Sequence, residues 1–133
     1  MTASFSGSGR TLGRKELGQI GEAAAREYLE GKGWTVVASN WRCRAGEMDI
    51  IAHPPEPEQH TLVFIEVRAR SSSRFGTAEE SVDARKQRKL RQVAQFYLQR
   101  HGGAEGLIRF DVMAVHITTD GRVVGIRMLE GVF

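Results

Sequence analysis

What this chain has little of narrows it first. It carries a single cysteine, Cys43, which excludes an internal disulfide and fits a reducing compartment. No cysteine or histidine spacing matches a structural zinc site. No apolar run approaches the roughly 20 residues of a membrane span, and the N-terminus lacks the continuous apolar stretch of a signal peptide. A cytoplasmic protein without a membrane partner is expected. The three prolines all fall in one loop, His53 to His60, so the rest of the chain is free to form helix and strand. Histidines 53 and 60 lie in that loop without the spacing of a ligand pair. Aromatic residues make up only 8%, and Trp34, Trp41 and Phe75 read either as core or as platforms for bases. A net charge of +3 is mild and informs only where it is clustered.

What is present fits one ordinary domain: 133 residues, 41% hydrophobic and 26% charged, enough to bury a core. Residues 1–13 are rich in Ser, Gly and Thr and read as a flexible tail before a single domain at 14–133. Leu17, Ile20, Ala24 and Tyr28, with Leu29 beside them, recur at helical spacing between Arg14 and Lys32, and Gly33 ends the run. Gly18, Gly21 and Ala25 form a low strip on the flank of this helix. Small residues there allow another backbone close approach. Glu22 borders that strip, and spacing alone reads it as a solvated carboxylate.

Trp34 to Ala38 reads as a strand and Asn40 to Gly46 as a turn. Two acidic strands follow, Gly46 to Ile51 and Leu62 to Arg70. The second is apolar at nearly every position, as in a strand buried on both faces, except at Glu66. An ionised carboxylate there needs a cation, a metal or hydrogen bonds. Alternation puts Leu62, Phe64, Glu66, Arg68 and Arg70 on one face, and groups Glu47, Asp49 and Ile51 opposite Met48, Ile50 and Ala52. If the two strands pair, Asp49, Glu66 and Arg68 converge away from the loop.

The segment Ser71 to Gly76 reads as a loop. A second helix is expected from Ser81 or Asp83 to Gly102-Gly103, with Leu90, Val93, Ala94 and Tyr97 as its apolar stripe. Lys86 extends that stripe by one turn. Arg85, Lys86, Arg88, Lys89 and Arg91 crowd positive charge where the helix dipole opposes it, which an anion would relieve. Arg85, Arg88 and Arg91 read as a solvated face, and Lys86 and Lys89 as site or phosphate contacts. Ile108 to Ile117 and Val123 to Leu129 read as strands joined by a turn at Thr118 to Gly121. Asp111 reads as paired with an arginine or as capping a loop, outside the core site. Carboxylates on adjacent strands make a hard-oxygen environment for Mg²⁺ or Mn²⁺, which suits phosphodiester hydrolysis.

Gly21-Glu22, Gly46 to Ile51, Val63 to Arg70, Phe75-Gly76, Lys86 and Arg109 to Val112 together resemble the YraN-type family of small bacterial proteins. That family is similar to archaeal Holliday junction resolvases and to the PD-(D/E)XK nucleases. The resemblance implies an α/β, restriction-endonuclease-like three-layer fold, a central mixed β-sheet flanked by helices. It implies Asp49 and Glu66 as ligands of Mg²⁺ or Mn²⁺, Glu22 as the helix acid completing the site, and Arg68 where the nuclease pattern has lysine. Arginine keeps its proton and cannot act as a base. The implied function is a metal-dependent endonuclease on branched or structured nucleic acid, DNA rather than RNA, with Arg70, Lys86 and Lys89 on phosphate. The alternative is a nucleic-acid-binding protein that kept the fold and lost the reaction. Resolvases of this fold are dimers, and Met128-Leu129 with Val132-Phe133 is the candidate homodimer face.

Overall fold

The computed structural model describes residues 12–71, 82–103 and 106–133. Most of the expected tail, Ser81, Phe75 and nearly all of the Ser71 to Gly76 loop therefore lie outside the described residues. Seven elements follow in order: α1 (Arg14–Gly31), β1 (Thr35–Cys43), β2 (Gly46–His53), β3 (Leu62–Arg70), α2 (Ala84–Arg100), β4 (Ile108–Ile117) and β5 (Val123–Leu129). The strands form one sheet in the order β1-β2-β3-β4-β5. Only β3 and β4 are parallel, because α2 returns the chain between them, as a parallel pair requires. This is the expected mixed sheet between helices. No helix among the described residues is long and apolar enough to cross a membrane.

Each face of the sheet has its own core. Leu90, Val93, Ala94 and Tyr97 of α2 pack with Leu62, Phe64, Phe110 and Val112. Ala25 and Leu29 of α1 pack with Val63, Ile65, Met113, Val115 and Ile117. Because β3 is covered on both sides, its residues from Leu62 to Val67 are all buried, which explains its unbroken apolar pattern.

Helix α1 differs from the expectation in an informative way. Its buried residues are Gly21, Ala25 and Leu29, so the low strip is the contact face, and Leu17, Ile20, Ala24 and Tyr28 are its shoulders. A Cβ on Gly21 would lie 2.8 Å from Cβ of Ala69, closer than carbon atoms pack. Gly21→Ala should therefore destabilise the fold by about 1–2 kcal/mol despite the helix propensity it adds. Chemical denaturation checks this, and adding Ala69→Gly should recover most of the loss.

Strand β1 also runs further than expected. Asn40 to Cys43 are strand residues, Trp41 to Cys43 pairing with β2, and Arg44-Ala45 alone make the turn, with Gly46 at φ 145°. The residues of the dimer face expected at the C-terminus are half-buried against the chain's own core. Leu129, Val132 and Phe133 pack against the α2-side cluster and Met128 against the other, with Phe133 stacked on Phe110 at 5.0 Å. Trp41 and Trp34 likewise belong to the packing, Trp41 edge-on to Tyr97 at 5.2 Å.

Candidate active site

The site begins where the sheet splits. β2 and β3 pair only at Ile50 with Ile65, Ile51 with Phe64 and Ala52 with Val63. Beyond Ile50, β2 continues with β1, while β3 continues with β4 as far as Arg70 and His116. A buried backbone donor in such a gap needs another partner. Asp49 supplies it: the Val67 N–H donates to its Oδ2 at 2.8 Å.

An irregularity where β1 and β2 run side by side turns Asp49 to this task. Asn40 has φ 51°, the only positive value at a non-glycine among the described residues, and asparagine tolerates that region better than most residues. Register pairs Ser39 with Ile50 and Trp41 with Met48, so Asn40 stands level with Asp49. The expected alternation fails there. Met48 joins Ile51 in the α2-side core, while Ile50 and Ala52 lie on the α1 side, so the grouping of Met48 with Ile50 and Ala52 is corrected by the kink at Asp49.

Three carboxylates meet at the split. Burial first, then the Asp49 charge and the opposing pull of Lys86 and Arg68, set Glu66, which is pushed up to about 7. Glu22, brought in from α1 by the close contact at Gly21, is also raised to about 7, by burial, then by Asp49 and Glu47. Asn40 opposes that rise. With its amide nitrogen turned toward the acids, it donates to Glu22 Oε1 at 2.7 Å and to Glu47 Oε2 at 3.0 Å. Spacing gave no hint of Asn40; its residue type, tolerant of positive φ, was the available signal.

The cations come from two elements. Lys86 Nζ lies 3.4 Å and Arg68 Nε 3.7 Å from the same oxygen, Glu66 Oε2. Asp83 caps α2 by accepting from the Lys86 N–H at 2.9 Å, which puts Lys86 in a first turn with no acidic residue. Glu66 is thus the anion that relieves the helix dipole. Lys89 is exposed, its stem lying over Gly46, where an added Cβ would come within 3.3 Å of Lys89 Cε. Arg70 stands at the end of β3, half-buried. Asp111 is elsewhere, gripped by Arg109 through two bonds of 2.9 Å.

The donor set fits a hard divalent cation. Asp49 and Glu66 offer only carboxylate oxygens, and burial first, then the Asp49 charge, holds Glu66 and Glu22 partly protonated at neutral pH. Among the described residues, no three His, Cys, Asp or Glu side chains form a ready metal cage. Two carboxylates suffice for Mg²⁺, which commonly completes its shell with water and phosphate oxygens.

The raised acids have a stability consequence. A group at 4.5 in the unfolded chain and about 7 in the fold holds its proton more tightly when folded. Its stabilisation is complete below 4.5 and is lost as pH rises through 7. In EDTA the chain should lose stability between about pH 4.5 and 7, with Glu66 contributing up to about 3 kcal/mol and the more exposed Glu22 less. Melting curves across that range check this, and Glu66→Gln should flatten the decline.

A family profile described as "Uncharacterised protein family UPF0102" matches residues 21–115, which contain Glu22, Asp49, Glu66, Arg68 and Lys86. A UPF0102 protein of Moorella thermoacetica is 46% identical over 123 residues, covering 92% of this chain and 99% of the relative. Those of Pelotomaculum thermopropionicum and Caldicellulosiruptor saccharolyticus are 42% and 37% identical, covering 90% and 92% of this chain and 97% and 100% of the relatives.

Proposed function

The chain belongs to the UPF0102 family, and on that premise we propose that it is a metal-dependent endonuclease that hydrolyses phosphodiesters in branched or otherwise structured nucleic acid, DNA in preference to RNA. One observation carries the reading: Asp49, Glu66 and Glu22 crowd together at the open end of β2 and β3, beside Lys86 and Arg68. Crowded acids beside cations suit a site that holds a divalent ion and a phosphate together.

Asp49 and Glu66 hold Mg²⁺ or Mn²⁺. The ion, when bound, neutralises phosphate charge and lowers the pKa of the attacking water. Glu22 completes the acidic rim, fixed by Asn40. Arg68 and Lys86 bind non-bridging phosphate oxygens and stabilise the charge that grows on them. Lys86 thus brings from α2 the ammonium charge that the nuclease pattern takes from a strand lysine. Arg70 and Lys89 contact flanking phosphates.

A second reading has its own support. Lys86 and Arg68 already lie against Glu66, as in a protein that binds nucleic acid without cutting it, with steep salt dependence and no response to metal.

Incubating the purified chain with four-way, flapped and fully paired DNA in Mn²⁺ separates the two. The nuclease reading expects cleavage near the branch, lost in Glu66→Ala and reduced about 10²-fold or more in Lys86→Met. Absence of cleavage on every substrate, or cleavage that survives Glu66→Ala, overturns it.

A further inference from the structure

Helix α2 carries six cations, Arg85, Lys86, Arg88, Lys89, Arg91 and Arg100, and no aspartate or glutamate. Apart from Ala84, every exposed residue on it is an arginine, a lysine or a glutamine. A merely solvated helix face mixes both signs. Here Arg85 and Lys89 stand four residues apart, and Arg88 and Arg91 three, spacings at which like charges repel. The face costs the helix stability that an external anion would restore.

Three arginines of this surface are seated on aromatic rings. Arg91 holds its guanidinium 5.8 Å from the ring centre of Phe110 and 5.6 Å from that of Phe133, on the β4 side of the helix. On the β1 side, the Arg100 guanidinium lies 5.7 Å from the Trp41 ring. Arg44, exposed in the turn between β1 and β2, reaches across to the Phe96 ring of α2 at 5.1 Å. Attraction to a ring face orients a long side chain before any ligand arrives. The guanidinium keeps N–H donors for the paired bonds that arginine makes to phosphate. Spacing alone reads Arg91 as solvated, because the rings that hold it come from β4 and the C-terminus.

The surface has a direction. Lys86 Nζ lies 3.4 Å from Glu66 Oε2, so the first turn of α2 stands at the acidic site and Arg100 at the far end. The rise from Lys86 to Arg100 is roughly 20 Å, the length of about six base pairs.

We propose that the outer face of α2, with Arg44 beside it, holds the phosphate backbone of the substrate arm that leads away from the scissile bond, over about six base pairs. The inference rests on the nuclease reading for where that arm begins. Its binding step needs no cleavage.

The test is fluorescence anisotropy in EDTA with a short labelled duplex, on the full chain and two variants whose melting is followed alongside. Arg44→Gln/Arg91→Gln/Arg100→Gln should bind about tenfold or more weakly, and the slope of log K against log salt should fall by about 2.7 for three lost duplex contacts. Gln95→Glu/Gln99→Glu adds two carboxylates to exposed positions and leaves every arginine and ring in place. Glutamate matches glutamine in helix propensity, so this variant should fold and also bind about tenfold more weakly, which keeps the test decisive if loss of the ring contacts impairs folding. Unchanged duplex binding in Gln95→Glu/Gln99→Glu overturns the proposal. So does displacement of the duplex by polyglutamate at equal charge, because carboxylate would then serve as well as phosphate. Binding weakened in both variants without cleavage of any substrate upholds the surface while refuting the nuclease reading. Branch cleavage with binding untouched does the reverse.

Discussion

Asp49→Asn is expected to abolish metal-dependent cleavage and, at the same time, to make the metal-free protein more stable. The two effects have one cause. Asparagine keeps an oxygen able to accept from the Val67 N–H, now bonded to Asp49 Oδ2 at 2.8 Å, so the split between β2 and β3 stays closed off. It removes the charge that helps raise both Glu66 and Glu22 to about 7. At pH 8, where Glu66 and Glu22 are forced to ionise, relief of that repulsion should raise Tm by about 3–6 °C, corresponding to about 1–2 kcal/mol. The same change leaves Glu66 as the sole charged ligand, and cleavage should fall about 10³-fold or more. Natural active sites often give up stability in this way. Differential scanning calorimetry in EDTA beside a cleavage assay reads both signs. A fall in Tm at pH 8 would mean that the carboxylate is structural.

Asp111→Ala should produce the opposite pairing, a large loss of stability with the acidic site intact. Asp111 is completely buried. It takes both bonds from Arg109 and a third, at 2.9 Å, from the Gly131 N–H, tying the C-terminal turn to β4. Removing it strands a cation that is itself only 19% exposed and leaves that backbone donor without its acceptor. Breaking a buried pair from one side costs about 3–5 kcal/mol; here Glu58 and Glu130, at 3.9 and 3.8 Å from Arg109, hold the cost near the lower end. Urea unfolding should show a loss of about 3 kcal/mol, with Mn²⁺ affinity of the folded protein unchanged. A loss under about 0.5 kcal/mol, the range of ordinary surface changes, would show that the clasp does not hold the fold.

Much of this architecture was legible in the sequence, for identifiable reasons. The unbroken apolar run of β3 announced a strand covered on both faces, and the carboxylate interrupting it announced a need for partners, which Lys86 and Arg68 meet, because burial makes such a residue costly. The stripe of α2 was read correctly down to Lys86, since a lysine one turn before Leu90 falls on the face that meets β3. Asp111 found its arginine two residues away. What stayed hidden were features made by two segments together. Helical spacing ranks bulk, so it favoured Leu17 and Ile20 over the glycine that makes the closest contact, and only the facing Ala69 explains Gly21. Strand alternation assumes an even pleat, and Asn40 breaks it by adopting a positive φ level with Asp49.

The most direct test of the central claim is calorimetric titration of Mn²⁺ at pH 8 into the native chain and into Asp49→Ala, each alone and with bound oligothymidylate. A carboxylate metal site predicts a saturable isotherm in the native chain that vanishes in the variant. Absence of binding to the native chain in both conditions, or equal binding by the variant, would contradict it and leave a protein that holds nucleic acid without cutting it.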